Sequence, residues 1–246
     1  MVRGLDIFSQ WFKSCSDQYV LIGGTAASLT MQEFGMPFRG TKDLDVVLHL
    51  EALRPEFGEI FWRFIDTGGY EVKQHSNGNP RLYRFQKPKE DDFPWMVELF
   101  SRLPQGIELF DDSRLTPIPM AEGISDMSAI LLDGDYYDFV ISGRKIKEGL
   151  TWISEDRLIP LKALAWLNLT HSRKAGASVR PGDIRKHLDD VVNLSSLLNP
   201  QSRIALTPRI SADLRNFISM VSIDAHPDFI VVRQRLELAY GLSPIY

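Results

Sequence analysis

Asp43 and Asp45 stand two residues apart at the start of the apolar run DLDVVLHL, a spacing that could do chemistry. On a strand, residues i and i+2 point to the same side with Cα atoms about 6.5 Å apart, so both carboxylates aim at one spot. Two such groups can grip one or two divalent cations, whose preference is for oxygen ligands. Cations held in that way suit phosphoryl-type transfer, where they neutralise a triphosphate and activate the attacking oxygen. The pair by itself carries little, because chance places about four acid-x-acid pairs in a chain with 32 acids among 246 residues. Glu90/Asp92 and Asp133/Asp135 are two others, in segments that read as loop and turn. Context separates Asp43 and Asp45 from these: like charges opening an apolar strand repel unless cations bind between them.

Other residues could share that site. Glu98 interrupts the apolar run WMVELFS, where burial without a partner is costly. A neighbouring strand could bring it beside the aspartates; an edge position facing solvent is the alternative. Gly23 and Gly24 lie between an apolar strand and a helix. Glycine there lets the backbone approach a ligand, and the first helical N–H groups are free to meet phosphate oxygens. The same glycines would also serve the steric needs of a tight turn.

In the second half, Lys162 sits within IPLKALAWL, where a buried ammonium needs a partner unless its stem carries the charge to the surface. The run RPGDIRKHLDD places Asp183 in a helical first turn and Lys186 four residues before Asp190, a spacing at which the two could pair. His187 could act as an acid or base, although a lone helical histidine is more often structural. His49, His75, His171 and His226 show no metal-ligand spacing. The serines lack a nucleophile elbow, and the missing lysine after the glycine pair disfavours a P-loop. Arg81, Arg84, Lys87 and Lys89 could line an acceptor or phosphate groove, or form a solvated face.

The elements that must position these groups follow from pattern. Residues 18–22 read as a strand, and a helix with Thr25 as its N-cap should stop near Gly35 and Pro37. DVVLHL reads as a second strand, residues 56–65 as an amphipathic helix, and residues 70–74 as a strand. RLYRFQ and WMVELFS are further strands, with the polar loop KPKEDDF between them. YYDFVISG and KIKEGLTWI are expected to pair as a hairpin across a Gly-Arg turn. From about residue 155 the periodicity is helical through LIPLKALAWLNL, DIRKHLDDVVNLSSLL, DLRNFISMV and the segment after His226. The fold class is therefore α/β (α+β): a mixed sheet flanked by helices over residues 1–154, then a helical region over 155–246.

Composition sets outer limits. A 44% hydrophobic and 24% charged chain can bury a sizeable core, while a formal charge of −4 gives no global attraction to nucleic-acid backbones. An RNA contact would need a local basic patch; a protein or small-molecule acceptor fits the charge equally well. One cysteine excludes an intramolecular disulfide and a thiolate cluster. With no apolar run near the roughly 20 residues of a membrane span and no signal-like start, a cytoplasmic protein is expected.

The order GG, helix, R-G-T-K-D-L-D resembles the polymerase-β-like nucleotidyltransferase superfamily, and R-G-T-x-D-L-D in particular resembles its AbiEii-type, toxin-like members. The likeness reaches MVELFS, LIPLKALAWL and DIRKHLDDVVNL, so it spans most of the chain up to about Leu198. It implies transfer of a nucleoside monophosphate from an NTP to an acceptor, which is RNA (tRNA included), a protein or a small molecule. It implies Mg2+, two ions, on Asp43 and Asp45, with Glu98 completing an acidic triad as metal ligand or base. Gly23, Gly24 and Thr25 would hold the triphosphate, with Lys162 and Lys186 as phosphate contacts. The relatives' setting in bacterial abortive-infection and toxin–antitoxin systems implies a cognate antitoxin. Where those relatives carry an aspartate after the lysine, this chain has His187, and a base role there does not carry over. The alternative is a fold of this kind kept for binding or regulation without catalysis.

Overall fold

The computed structural model describes residues 2–72, 82–100, 130–131, 133–199, 201–222 and 226–242. Their strands are β1 (Tyr19–Leu21), β2 (Asp43–Leu48), β3 (Glu71–Val72), β4 (Leu82–Gln86), β5 (Met96–Phe100), β6 (Arg144–Lys147) and β7 (Leu150–Ile153). These form one sheet in the order β3-β4-β5-β2-β1-β7-β6. The pairs β2/β5 and β1/β7 are parallel and the rest antiparallel, so the sheet is mixed. The expected strand through Gln74 is seen as Glu71–Val72; residues 73 and 74, His75 and Arg81 lie outside the described residues.

The helices of the first half are α1 (Leu5–Phe12), α2 (Gly23–Glu33) and α3 (Pro55–Gly68). Proline at the start of α3 costs no hydrogen bond, since a first-turn N–H is unpaired anyway. Helices α1 and α3 meet through aromatic rings: Phe8 and Phe64 edge-on at 5.9 Å, Phe12 and Phe57 at 5.4 Å. Phe61 reaches Phe85 of β4 at 5.2 Å, which lays α3 against the sheet. Along β2 the pleat alternates, so Asp43 and Asp45 share one side and Leu44, Val46 and Leu48 the other.

Two local expectations are corrected. Thr25 is not the N-cap of α2; Ile22 holds that position, and Thr25 lies inside the first turn with its hydroxyl donated to the Asp43 carbonyl at 3.0 Å. The run YYDFVIS is not a strand but helix α4 (Gly134–Ser142). Its aromatic and β-branched residues suit strands in general, yet Asp133 caps it by accepting from the Asp135 N–H at 2.9 Å. Tyr136, Tyr137, Phe139 and Val140 are then buried at helical spacing. The hairpin joins β6 to β7 through Glu148 and Gly149, not through Gly143-Arg144. Both turn residues have positive φ, 53° and 80°, which matches the twist of the flanking strands.

The helical part begins as expected, with α5 (Glu155–Lys174), α6 (Pro181–Ser195), α7 (Pro208–Met220) and α8 (Phe229–Ala239). Trp166 on α5 meets Phe217 on α7 edge-on at 5.3 Å, and Phe217 meets Phe229 on α8 at 5.8 Å. Pro160 inside α5 has no N–H, so the Asp156 carbonyl loses its usual partner four residues on. The Tyr240 hydroxyl, brought there by the end of α8, donates to that carbonyl at 2.9 Å. Tyr240→Phe is expected to cost about 1 kcal/mol in urea unfolding. In a Pro160→Ala background, where the N–H returns, the cost of Tyr240→Phe should shrink; equal costs in both backgrounds would remove this account. Among the described residues no helix is long and apolar enough to cross a membrane.

Candidate functional site

The parallel register of β2 and β5 sets Asp45 opposite Glu98 and Asp43 opposite Met96. Asp43, Asp45 and Met96 line a cleft of about 190 Å³, closed on another side by Gly23 and Gly24. At Gly23 the chain has φ +66°, and a Cβ there would sit 1.9 Å from Asp45 Oδ2. Glycine is therefore required twice over, for the left-handed backbone and for the room that the carboxylate occupies. The Ile22 N–H donates to the Asp45 carbonyl at 3.0 Å, which ties the turn to β2 at the same point.

Both aspartates are ill at ease as anions. Desolvation, the Glu98 charge and then Asp43 push the Asp45 carboxyl up to about 7, against the pull of Lys162. Asp43 is raised as well, by desolvation first and by Glu98, while Lys42 pulls it down. Its Oδ1 is buried and has no hydrogen-bond partner among the described residues. Oxygen donors that are partly dehydrated, mutually repelling and under-satisfied fit a hard divalent cation.

Glu98 stands beside Asp45 in register, as expected, and is 1% exposed. Its carboxylate accepts from Arg84 Nε at 2.8 Å, and the side chain is not part of the cleft lining. Arg84 is thus a structural counter-ion from β4, the cross-strand neighbour of Glu98. Among the described residues no three His, Cys, Asp or Glu side chains gather as a metal-binding group.

The opposite wall is cationic. Lys162 does not reach the surface: it is 2% exposed, and its Nζ lies 2.8 Å from Asp190 Oδ2. Arg39, from the loop between α2 and β2, grips the same carboxylate with Nε at 2.9 Å and Nη2 at 2.8 Å. Burial alone would raise Asp190, but Lys162 and Arg39 hold it below the usual carboxylate value. Burial in turn lowers Lys162, and Asp190 offsets part of that. The expected pairing of Lys186 with Asp190 is not formed. Asp190 is claimed by Arg39 and Lys162, while Lys186 lies 3.5 Å from Asp183 and lines the cleft half-exposed.

Arg39, Thr41 and Asp190 belong to this region although the sequence reading did not pick them out as site residues. The one available signal was the arginine of R-G-T-K-D-L-D, four residues before Asp43. His187 also lines the cleft, 4% exposed and with Nδ1 buried without a partner among the described residues. Of the basic residues expected to line a groove, Arg84 serves Glu98 and Lys87 lies 3.2 Å from Glu71.

No family model and no curated protein matches the chain. Among solved structures, the crystal structure of an antigenic nucleotidyltransferase-like protein from Paracoccidioides brasiliensis is similar over 93% of this chain and 89% of that one, at 15% identity and a TM-score of 0.47.

Proposed function

We propose that the chain is a metal-dependent nucleotidyltransferase with the AbiEii-type, toxin-like arrangement, built from a catalytic half over residues 1–154 and a helical half over 155–246. The observation that carries this reading is the meeting, in one cleft, of two strand-borne aspartates, a glycine turn moulded around Asp45, and lysines from two helices. Magnesium, two ions in this reading, would be held by Asp43 and Asp45 and would neutralise the triphosphate and activate the attacking oxygen. Magnesium keeps waters and takes phosphate oxygens readily, so one or two protein carboxylates suffice without a preformed cage.

The chain's own residues divide the remaining work. Gly23 and Gly24 let the backbone approach the triphosphate, and Lys162 and Lys186 offset its charge on the far wall. An acceptor oxygen bonds to the α-phosphorus as the bond to the oxygen bridging towards the β-phosphate breaks. That electron pair leaves with pyrophosphate, and the acceptor's proton passes to an acidic-wall carboxylate or to water. Glu98, fixed by Arg84 one strand away from Asp45, is the third carboxylate of this reading. The acceptor is RNA, a protein or a small molecule, and a cognate antitoxin encoded nearby belongs to the toxin form of the proposal. A silent binding or regulatory protein is the second reading, favoured by the tie between Glu98 and Arg84.

Thermal shifts with each of the four NTPs, with and without magnesium, on wild type and Asp45→Asn, separate the two. At 100 times its dissociation constant the donor nucleotide should stabilise wild type by about 2.7 kcal/mol with magnesium, and Asp45→Asn should lose that shift. No shift with any nucleotide would sink the catalytic reading.

A further inference from the structure

A row of three charged residues crosses neighbouring strands beside the cleft. The registers set Arg84 of β4 opposite Glu98 of β5, and Glu98 opposite Asp45 of β2. Residues paired in this way share a face of the sheet, with Cα atoms about 5 Å apart. Glu98 thus stands near enough to Asp45 for both carboxylates to reach one ion. Its other neighbour draws it the opposite way. Arg84 donates Nε at 2.8 Å and also Nη2 to the same oxygen, Glu98 Oε1. The pair is enclosed, with side chains 14% and 1% exposed. Asp43 and Asp45 line the cleft, and Glu98 does not.

What Glu98 would gain from an ion is set against what it would give up. Leaving Arg84 strands a buried guanidinium, and breaking one side of such a pair is strongly unfavourable. A magnesium ion does not require a third protein carboxylate, since it keeps waters and takes phosphate oxygens. The rest of the cleft acts in the same direction. Its lining sets Asp43 and Asp45 against Arg39, Lys162 and Lys186. Asp190 offsets part of that positive charge through Arg39 and Lys162. One divalent ion neutralises the two aspartates, and a second then meets cations until a triphosphate brings its own negative charge.

We propose that Arg84 is a positioning residue that holds Glu98 out of the coordination of the cleft's ion. This rests on the metal-dependent nucleotidyltransferase reading. The nucleotide-free protein then carries one ion, on Asp43 and Asp45, and the second ion of that reading enters with the triphosphate. Affinity for a hard cation rises with the number of charged ligands, so two carboxylates in place of three keep the resident ion loosely held.

Manganese is the probe, titrated calorimetrically without nucleotide into wild type, Arg84→Met, and Arg84→Met combined with Glu98→Gln. Each metal-free protein is melted alongside, and waters on the bound ion are counted from its magnetic coupling to exchangeable protons. Wild type is expected to take one ion. Arg84→Met frees Glu98 to join it, so affinity should rise about tenfold or more and the ion should lose about one water. The double variant exchanges one neutral pair for another, so it should fold and bind within roughly threefold of wild type. Two ions in nucleotide-free wild type would overturn the proposal. So would a folded Arg84→Met with unchanged affinity, or with tighter binding and an unchanged water count, which is a field effect without coordination. A loss of about tenfold or more in the double variant would show Glu98 to be a ligand already, whether or not Arg84→Met folds. Ions bound only with nucleotide sink this proposal alone; no manganese in wild type, with or without any NTP, sinks the metal-dependent reading itself.

Discussion

Asp45→Asn is expected to yield a protein that melts higher than wild type above pH 7 and transfers nothing. The wild-type carboxyl is raised from an ordinary 3.8 to about 7 by desolvation first and by Glu98 second. The folded state therefore holds a proton that the unfolded chain has released. Stability from this group is intact below about pH 4, falls as pH rises towards 7, and stays low above it. Asparagine carries no such penalty, so its melting temperature should be flatter with pH and a few degrees higher at pH 8. Magnesium should return part of the lost stability to wild type at pH 8 and none to the variant. Activity should drop by a factor of about a thousand or more, as when a group that organises transition-state charge is removed. Melting curves from pH 4 to 8, with and without magnesium, check this directly; a variant less stable than wild type at pH 8 would show that Asp45 is already well paired.

The second large effect is expected at Asp190. Asp190→Ala leaves the Lys162 ammonium 2% exposed without its partner and releases both contacts of Arg39. Breaking one side of a buried ion pair costs about 3–5 kcal/mol, most of it the desolvated charge left behind. The urea midpoint should fall accordingly. Removing both charges as Lys162→Met with Asp190→Leu should recover most of the stability without recovering activity, because the cationic wall is then dismantled. A double variant as unstable as Asp190→Ala would mean that packing, not charge, dominates at this spot.

The sequence made some of this legible and hid the rest for identifiable reasons. The period-2 spacing of Asp43 and Asp45 and the acid within WMVELFS survive as the paired register Asp45–Glu98, because alternation along a strand is a local property. The helical region also begins where the periodicity changes. Part of what failed was non-local. Lys186 and Asp190 have the right spacing to pair, but Asp190 finds Arg39, 151 residues away, and a lysine on another helix. Likewise, the run YYDFVIS has strand-like composition, and its helix is decided by the Asp133 cap and by buried contacts such as the Tyr137 hydroxyl on the Leu48 carbonyl at 2.9 Å. Thr25 is a capping residue type ahead of good helix formers, yet the helix already starts at Gly23. The burial of Lys162 and of Glu98 each required a partner, but only the fold names Asp190 and Arg84.

The clasp of Arg39 on Asp190 joins the loop before β2 to α6, and this has a bearing on how the protein is made. Synthesis runs from the N-terminus, and early segments can begin to fold before later ones exist. A nascent chain thus displays Asp43 and Asp45 well before Lys162, Lys186 and Asp190 have been added. At that stage the cationic side of the cleft is missing and Arg39 is without Asp190. On the nucleotidyltransferase reading proposed above, a translation product interrupted before α6 lacks Lys186 and Asp190 and is expected to be inert, whereas one interrupted after α6 already carries every residue that lines the cleft.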